Sequence, residues 1–268
     1  MSHKPKLLFV YEHKKPEYWM DGLWAALNLL EEDFEILKCN IATEAITSEG
    51  LQDYFILGWG GFNSRVDSII QSWPTNNKKG LCIGSNGFPP AGANSYDVLF
   101  YETKWYRPQI AFHKNIVHAF GVNTDIFSPS PIPNPIVWDY IGAGSLAIWK
   151  RWERMIDKTG NKLVVGDYQV DNEAESMGIV KELVKGNVMV SDQIHPLDLV
   201  NYMHWSRTAY VPADLIGGGE RFVLEARACG LNVEIEEDNP KLQELLECEI
   251  WDHYYYAKQL KKGIMSVL

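Results

Sequence analysis

Long apolar runs are missing from this 268-residue sequence. No stretch reaches the ~18 apolar residues that a bilayer-crossing helix needs. The opening Met1-Ser2-His3-Lys4-Pro5-Lys6 passes at once into the strand-like Leu7-Leu8-Phe9-Val10-Tyr11, without the apolar region of a secretory signal. A protein with no membrane span, residing in the cytoplasm, is the expectation. Cysteine is also scarce. Cys39, Cys82, Cys229 and Cys248 are scattered with no Cys-x-x-Cys pair, which indicates neither a zinc cluster nor a disulfide framework and leaves reduced, buried thiols. Positive charge is in short supply: 25 Lys and Arg against 35 Asp and Glu give a net charge of −10. That balance disfavours a broad, sequence-independent grip on nucleic acid or anionic membrane, and leaves room for a local basic groove only. No internal repeat occurs, and no low-complexity tract beyond one proline-rich segment.

What is present is alternation. In the first half, strands are predicted near Leu7–Tyr11, Glu35–Lys38, Tyr54–Leu57, Gly80–Ile83, Val98–Tyr101 and Asn115–His118, with helices between them. The helix Gly22–Glu31 carries Leu23, Ala26, Leu27 and Leu30 at helical spacing, and Asn63–Trp73 carries Val66, Ile69, Ile70 and Trp73 on one face. Ser128-Pro129-Ser130-Pro131-Ile132-Pro133-Asn134-Pro135 then halts both regular structures, as an interdomain linker does. Alternation restarts with strands at Ile136–Ile141, Lys162–Val165, Val188–Val190, Thr208–Val211 and Asn232–Glu236. Helices are predicted at Trp152–Lys158, Glu173–Val184, Pro196–Trp205, after the glycine-rich stretch, and at Lys241–Leu246. This order predicts an α/β protein of two Rossmann-like, doubly wound domains, 1–128 and 136–249, joined by 129–135. A terminal helix over 250–268 packs back across them. Open sheets of this kind bind ligands beyond the carboxyl ends of their strands, so a cleft between the domains is expected.

The most telling stretch is Gly217-Gly218-Gly219-Glu220-Arg221-Phe222-Val223-Leu224-Glu225-Ala226-Arg227-Ala228-Cys229-Gly230. Three glycines open directly into an amphipathic helix. The leading N–H groups of a helix lack partners within it, glycines let a phosphate approach them, and the helix dipole adds attraction. Glu225, further in on the buried side, suits a ribose diol. A nucleoside-diphosphate ligand fits both features; a flexible loop before an ordinary surface helix fits the glycines alone. A second element follows Ile141: the small-residue loop Gly142-Ala143-Gly144-Ser145, then Lys150-Arg151 at the start of a helical run. Lys150 suits a diphosphate leaving group, while a solvated basic pair is the plainer alternative.

Three segments resemble the retaining, family-4 type of GT-B fold nucleotide-sugar glycosyltransferases, and the resemblance runs over most of the chain. His118 to Pro129 resembles that family's Pro-Asn-Gly-Val-Asp…Phe-x-Pro ending of the first domain. Gly144 to Lys150 resembles its Gly-Arg-Leu…Lys-Gly loop. Leu224-Glu225-Ala226-Arg227-Ala228-Cys229-Gly230-Leu231-Asn232-Val233 resembles Leu-Glu-Ala-Met-Ala-Cys-Gly-Leu-Pro-Val. The chain departs from the family at Gly217, where the family has a Glu, at Ser145, where it has an Arg, and at Asn232, where it has a Pro. The usual Gly-Gly pair of the first strand-to-helix loop is reduced to Gly22 behind Asp21.

The resemblance implies sugar transfer from a nucleotide diphosphate sugar, with retention of configuration and without a metal or other cofactor. The sequence contains no Asp-x-Asp metal motif. It further implies donor contacts at Gly144, Ser145, Lys150, Arg151, Gly217, Gly218, Gly219, Arg221 and Glu225. Lys150 would act on the leaving diphosphate and Glu220 on a sugar hydroxyl; a first-turn carboxylate favoured by the helix dipole is the alternative for Glu220.

On the acceptor side, the loops at Glu12–Gly22, Gly58–Asn63 and Ser85–Asn94 are expected to face the cleft. Asp21, Gly22, Trp59, Gly60 and Asn63 are the candidate contacts, with Phe62 beside them. His13, His113 and His118 are candidate bases or structural histidines. Trp105-Tyr106-Arg107 suits a glycan, a nucleic acid or simple helix packing. The acceptor is a glycan, a small molecule or a modified nucleic acid. Competing readings are a DNA-modifying glycosyltransferase acting on hydroxymethylated bases, a non-catalytic nucleotide-sugar-binding relative, and an epimerase or phosphorylase on the same scaffold.

Overall fold

Apolar runs bounded by turn residues become parallel strands throughout, because a sheet covered by helices on both faces needs strands apolar on both faces. The computed structural model describes residues 4–13, 21–47, 49–73, 76–84, 95–168 and 172–268. It divides into unit 1, residues 1–121 with 251–268, and unit 2, residues 122–250. Of the candidate acceptor loops, 85–94 and most of 12–22 lie outside the described residues.

Unit 1 comprises β1 (Lys6–Tyr11), α1 (Gly22–Leu30), β2 (Glu35–Asn40), β3 (Tyr54–Gly60), α2 (Arg65–Ser72), β4 (Lys79–Ile83), β5 (Val98–Tyr101), α3 (Arg107–Ile110) and β6 (Ile116–His118). The strands pair in the order β2-β1-β3-β4-β5-β6, all parallel. β4 and β5 are buried along their whole length. One core layer gathers Leu8, Val10, Ile56, Val66, Ile70, Leu81, Leu99 and Ile110. Helix starts follow local capping chemistry: Asp21 accepts from the Trp24 N–H at 3.0 Å, and Ser64 accepts from the Asp67 N–H at 3.1 Å.

Unit 2 comprises β7 (Trp138–Ser145), β8 (Lys162–Asp167), α4 (Glu173–Lys185), β9 (Met189–Asp192), α5 (Pro196–His204), β10 (Ser206–Val211), α6 (Glu220–Ala228), β11 (Asn232–Ile235) and α7 (Pro240–Glu247). Its strands pair in the order β11-β10-β7-β8-β9, again all parallel. The last helix, α8 (His253–Met265), belongs to unit 1 and packs on α1, β5 and β6.

Three sequence expectations differ from what forms. Gly142–Ser145 is not a loop but the second half of β7. Glycine is required at position 142 because a Cβ there would overlap the Trp152 ring. Trp152 to Lys158, expected as a helix, contains a 3₁₀ turn at Trp152–Met155. Arg151 at φ 51° is left-handed and breaks the helical path; the Trp152 indole N–H turns back to the Ser145 carbonyl at 2.9 Å. The chain enters unit 2 at Val122, before the proline-rich segment. Val122 and Phe127 are buried, and His204 Nε2 donates to the Ser128 carbonyl at 2.8 Å.

Candidate functional site

The glycines at 217–219 form a turn with its own reasons for lacking side chains. Gly218 (φ 63°) and Gly219 (φ 110°) occupy the left-handed region, where a Cβ is strained. Gly219 is the N-cap of α6, and no side chain caps that helix. A Cβ on Gly219 would stand 2.7 Å from Val211 Cγ1. A Cβ on Gly217 would overlap the carbonyl oxygen of Trp149. The position where the resembled pattern has a glutamate therefore has no room for any side chain.

The turn is docked onto the segment that follows β7. The Asp214 N–H donates to the Trp149 carbonyl at 3.0 Å, and the Gly217 N–H to the Asp214 carbonyl at 2.9 Å. Asn239 is fully buried; its Nδ2 donates to the carbonyls of Ala213 (3.0 Å) and Asp214 (2.8 Å), and its side chain caps α7 at the Leu242 N–H. Arg151 ties the same segment down. Its Nε donates to the Pro212 carbonyl at 2.7 Å, and its two terminal nitrogens grip Asp238 at 2.6 and 2.8 Å. The bidentate bond to Asp238 raises the Arg151 pKa. Arg151, expected at the diphosphate, instead holds the loops that present Lys150.

Lys150 ends a 3₁₀ turn, Ile148–Lys150, and is half-buried. Cβ atoms on Gly144 and Gly218 would stand 3.5 and 3.6 Å from its Nζ, so the missing side chains leave space around the ammonium. Burial lowers its pKa to about 8; Glu220 and Asp214 oppose the shift, while Arg221 and Lys241 add to it. Glu220 opens α6, nearly buried, with Oε1 2.8 Å from Lys241 Nζ. Glu225 is buried one turn and more along the same helix, 3.5 Å from the exposed Arg221. Burial, with Glu225 second, pushes the Cys229 thiol up to about 12. Ser145 ends β7 and offers its carbonyl to Trp152.

Gly144, Lys150, Gly218 and Glu220 are thus gathered at one point of unit 2, with Gly217, Gly219 and Arg221 adjoining. The positive charge and uncapped helix N-terminus together suit an anion. Sequence reasoning passed over Asn239 and Lys241. The Asn239-Pro240 pair is a helix-start signal, but nothing in one dimension says that it closes over the glycine turn.

In unit 1, Asp21 caps α1 and Gly22 is buried as its first residue. Trp59 lies in β3, where a Cβ on Gly84 would stand 3.0 Å from its Nε1. Gly60 ends β3. Asn63, left-handed at φ 64°, donates its N–H to Asp67 at 2.7 Å. Phe62 is core. His118 takes Tyr255 and the Glu102 carbonyl on its two ring nitrogens, each at 3.0 Å, and burial lowers its pKa. His113 Nε2 donates to the Tyr96 carbonyl at 2.8 Å, and its Nδ1 accepts from the Asn115 N–H at 3.2 Å. Both rings have hydrogen-bond partners within unit 1. The His13 backbone is tied to the Asn40 side chain in both directions. Trp105 stacks edge-on against the buried Tyr106, which is helix packing, and Arg107 is exposed beside them.

No protein-family model matches this sequence, and no curated protein is significantly similar to it. Solved structures are similar across the chain. HepE of Anabaena in complex with UDP-glucose superposes with a TM-score of 0.65 at 12% identity, over 97% of this chain and 99% of that one. Sucrose-phosphate synthase of Thermosynechococcus elongatus gives 0.63 at 13% identity, over 97% and 90%. A glycosyltransferase from Rickettsia africae gives 0.61 at 11% identity, over 98% and 89%. At these identities the likeness shows the fold. Among the described residues, no helix is long and apolar enough to cross a membrane.

Proposed function

Starting from the GT-B fold that these likenesses show, we propose that the chain is a glycosyltransferase that takes its sugar from a nucleotide diphosphate sugar bound in unit 2. The observation that carries this reading is the placement of Lys150 Nζ beside the side-chain-free positions 144 and 218, at the uncapped N-terminus of α6. The diphosphate meets Lys150 and the N–H groups of Gly218 and Gly219, and the ribose diol meets Glu225. Bond cleavage at the anomeric carbon leaves negative charge on the departing phosphate. A preorganised ammonium and helix dipole stabilise charge that grows there. Transfer on the same face of the sugar, with retention and without a metal ion, belongs to this proposal, since Lys150 and the dipole supply the positive charge. The acceptor, a glycan, a small molecule or a modified base, meets residues at the carboxyl ends of the unit 1 strands.

The test is a thermal-shift panel of nucleoside diphosphates and nucleotide sugars. A ligand at about 100 times its Kd adds ~2.7 kcal/mol to a protein that binds it only when folded. One nucleotide sugar is expected to raise Tm by several degrees, with the shift lost in Glu225→Ala and reduced in Lys150→Ala. No shift across the panel removes the donor site. A non-catalytic binder is the second reading, favoured by the closed-off Gly217 position. Slow hydrolysis of the bound nucleotide sugar without acceptor selects the enzyme over the binder.

A further inference from the structure

Lys241 of α7 is fully buried (0% exposed), and Glu220 nearly so (5%). Their contact, 2.8 Å from Nζ to Oε1, is an ion pair without the alignment of a hydrogen bond. Taking both charges out of water is costly, and apolar residues in place of such a pair are often as stable or more so. Stability alone therefore does not account for it. Its location supplies the missing reason. Glu220 opens α6, where the helix dipole attracts an anion and an uncompensated carboxylate repels one at close range. A Cβ on Gly218 would stand 3.4 Å from Glu220 Oε2 and 3.6 Å from Lys150 Nζ, so both charges look onto the same glycine. Glu220 and Lys150 alone cancel there.

Resting on the reading that this turn receives a nucleotide's diphosphate, we propose that Lys241 is a positioning residue for donor binding. It fixes the Glu220 carboxylate and neutralises it, so that the diphosphate meets a net positive charge at the N-terminus of α6. The arrangement agrees with the lowered Lys150 pKa, to which Lys241 contributes. It also gives the chain a carboxylate beside the glycine turn that costs the phosphate site nothing in charge, although Gly217 has no room for one.

The experiment is calorimetric titration of UDP, GDP and ADP into the full chain and three variants, each checked for a cooperative melt. For the nucleotide that wild type binds, Lys241→Met is expected to weaken binding roughly tenfold or more, because it leaves Glu220 charged against the phosphates. Lys241→Met with Glu220→Gln is expected to return binding to within about threefold of wild type, and Glu220→Gln alone to tighten it. A purely structural pair is relieved by the same double change, so the discriminating result is Glu220→Gln alone. It leaves buried Lys241 unpaired, which a structural role makes harmful or neutral to binding and the electrostatic role makes favourable. Unchanged binding in folded Lys241→Met, or a double variant as weak as the single, overturns the proposal. If Lys241→Met fails to fold, Glu220→Gln decides: tighter binding supports the proposal, and unchanged or weaker binding overturns it. Wild type that binds none of the three nucleotides overturns the donor-site reading, and this inference with it.

Discussion

An ammonium with a pKa of about 8 loses its charge within the range where most enzymes are assayed. If Lys150 meets the diphosphate, the protonated form is the binding form, and nucleotide affinity falls as pH rises through about 8, by up to roughly tenfold per unit. The sign follows from the direction of the shift: burial has lowered the pKa, so the charge is complete below about 8 and is lost above it. Lys150→Arg keeps its charge over this range and is expected to flatten the dependence. Titrations of the nucleotide from about pH 7 to about pH 9.5 measure both, and a pH-independent wild type removes Lys150 from the site. Gly217 gives a second expectation at this scale. Gly217→Glu copies the resembled pattern, yet the Trp149 carbonyl occupies the space its Cβ needs. The variant is expected to lose ~1–3 kcal/mol, as overpacked positions do, and to gain no nucleotide-sugar affinity. Equal stability with tighter binding in a urea melt and titration contradicts the assignment.

At the scale of elements, two short connections make the proposed donor site: the segment after β7 that ends at Lys150, and the glycine turn before α6. Their mutual geometry depends on Asn239, which bonds the Ala213 and Asp214 carbonyls and caps α7. Asn239→Ala strands the buried Ala213 carbonyl, takes one of two donors from the Asp214 carbonyl and removes a cap, so a loss of ~2–4 kcal/mol is expected from urea unfolding. A loss under about 0.5 kcal/mol, the level of an ordinary surface change, means that the turn holds without it. The strands and most helices were legible in the sequence, because buried parallel strands read as apolar runs and helices as periodic faces. The connection after β7 was not. Trp152 and Met155, three apart, suit a helix and a 3₁₀ turn equally, and the left-handed Arg151 that decides between them is held by Asp238, 87 residues away. Glycines 142 and 144 read as a loop because a sequence does not reveal the Trp152 ring packed over them. Lys150, Gly218 and Glu225 are proposed for the site from local pattern. Lys241 and Asn239 carry no such pattern, since Lys241 pairs with Glu220 of another helix and Asn239 bonds carbonyls more than twenty residues away.

At the scale of the whole chain, unit 2 is a single uninterrupted stretch, Val122–Ile250, whereas unit 1 is assembled from two stretches, its second being Trp251–Leu268. Unit 1 depends on that return. Tyr256, Ala257, Leu260 and Ile264 of α8 are buried. A Cβ on Gly263 would overlap the Phe100 ring, and one on Gly121 would overlap the Asp252 carbonyl. His118 is bonded to Tyr255 and packs edge-on to Trp251. Removing residues 251–268 strips these contacts from β5, β6 and α1, at ~1.5–3 kcal/mol for each large apolar side chain uncovered. This exceeds what a domain of ordinary stability can lose. Unit 2 keeps its own core, with Leu146, Trp152, Met155, Val164, Leu183 and Tyr210 in one cluster, together with every residue assigned to the donor. A fragment of residues 122–250 is therefore expected to melt cooperatively and to bind the same nucleoside diphosphate as the full chain. A fragment of residues 1–121 is expected to show no cooperative transition. Calorimetric scans and one nucleotide titration on the two fragments check both halves: a 122–250 fragment that folds without binding would place part of the donor site outside unit 2, and a cooperative 1–121 fragment would make α8 an accessory to unit 1 rather than a part of its core.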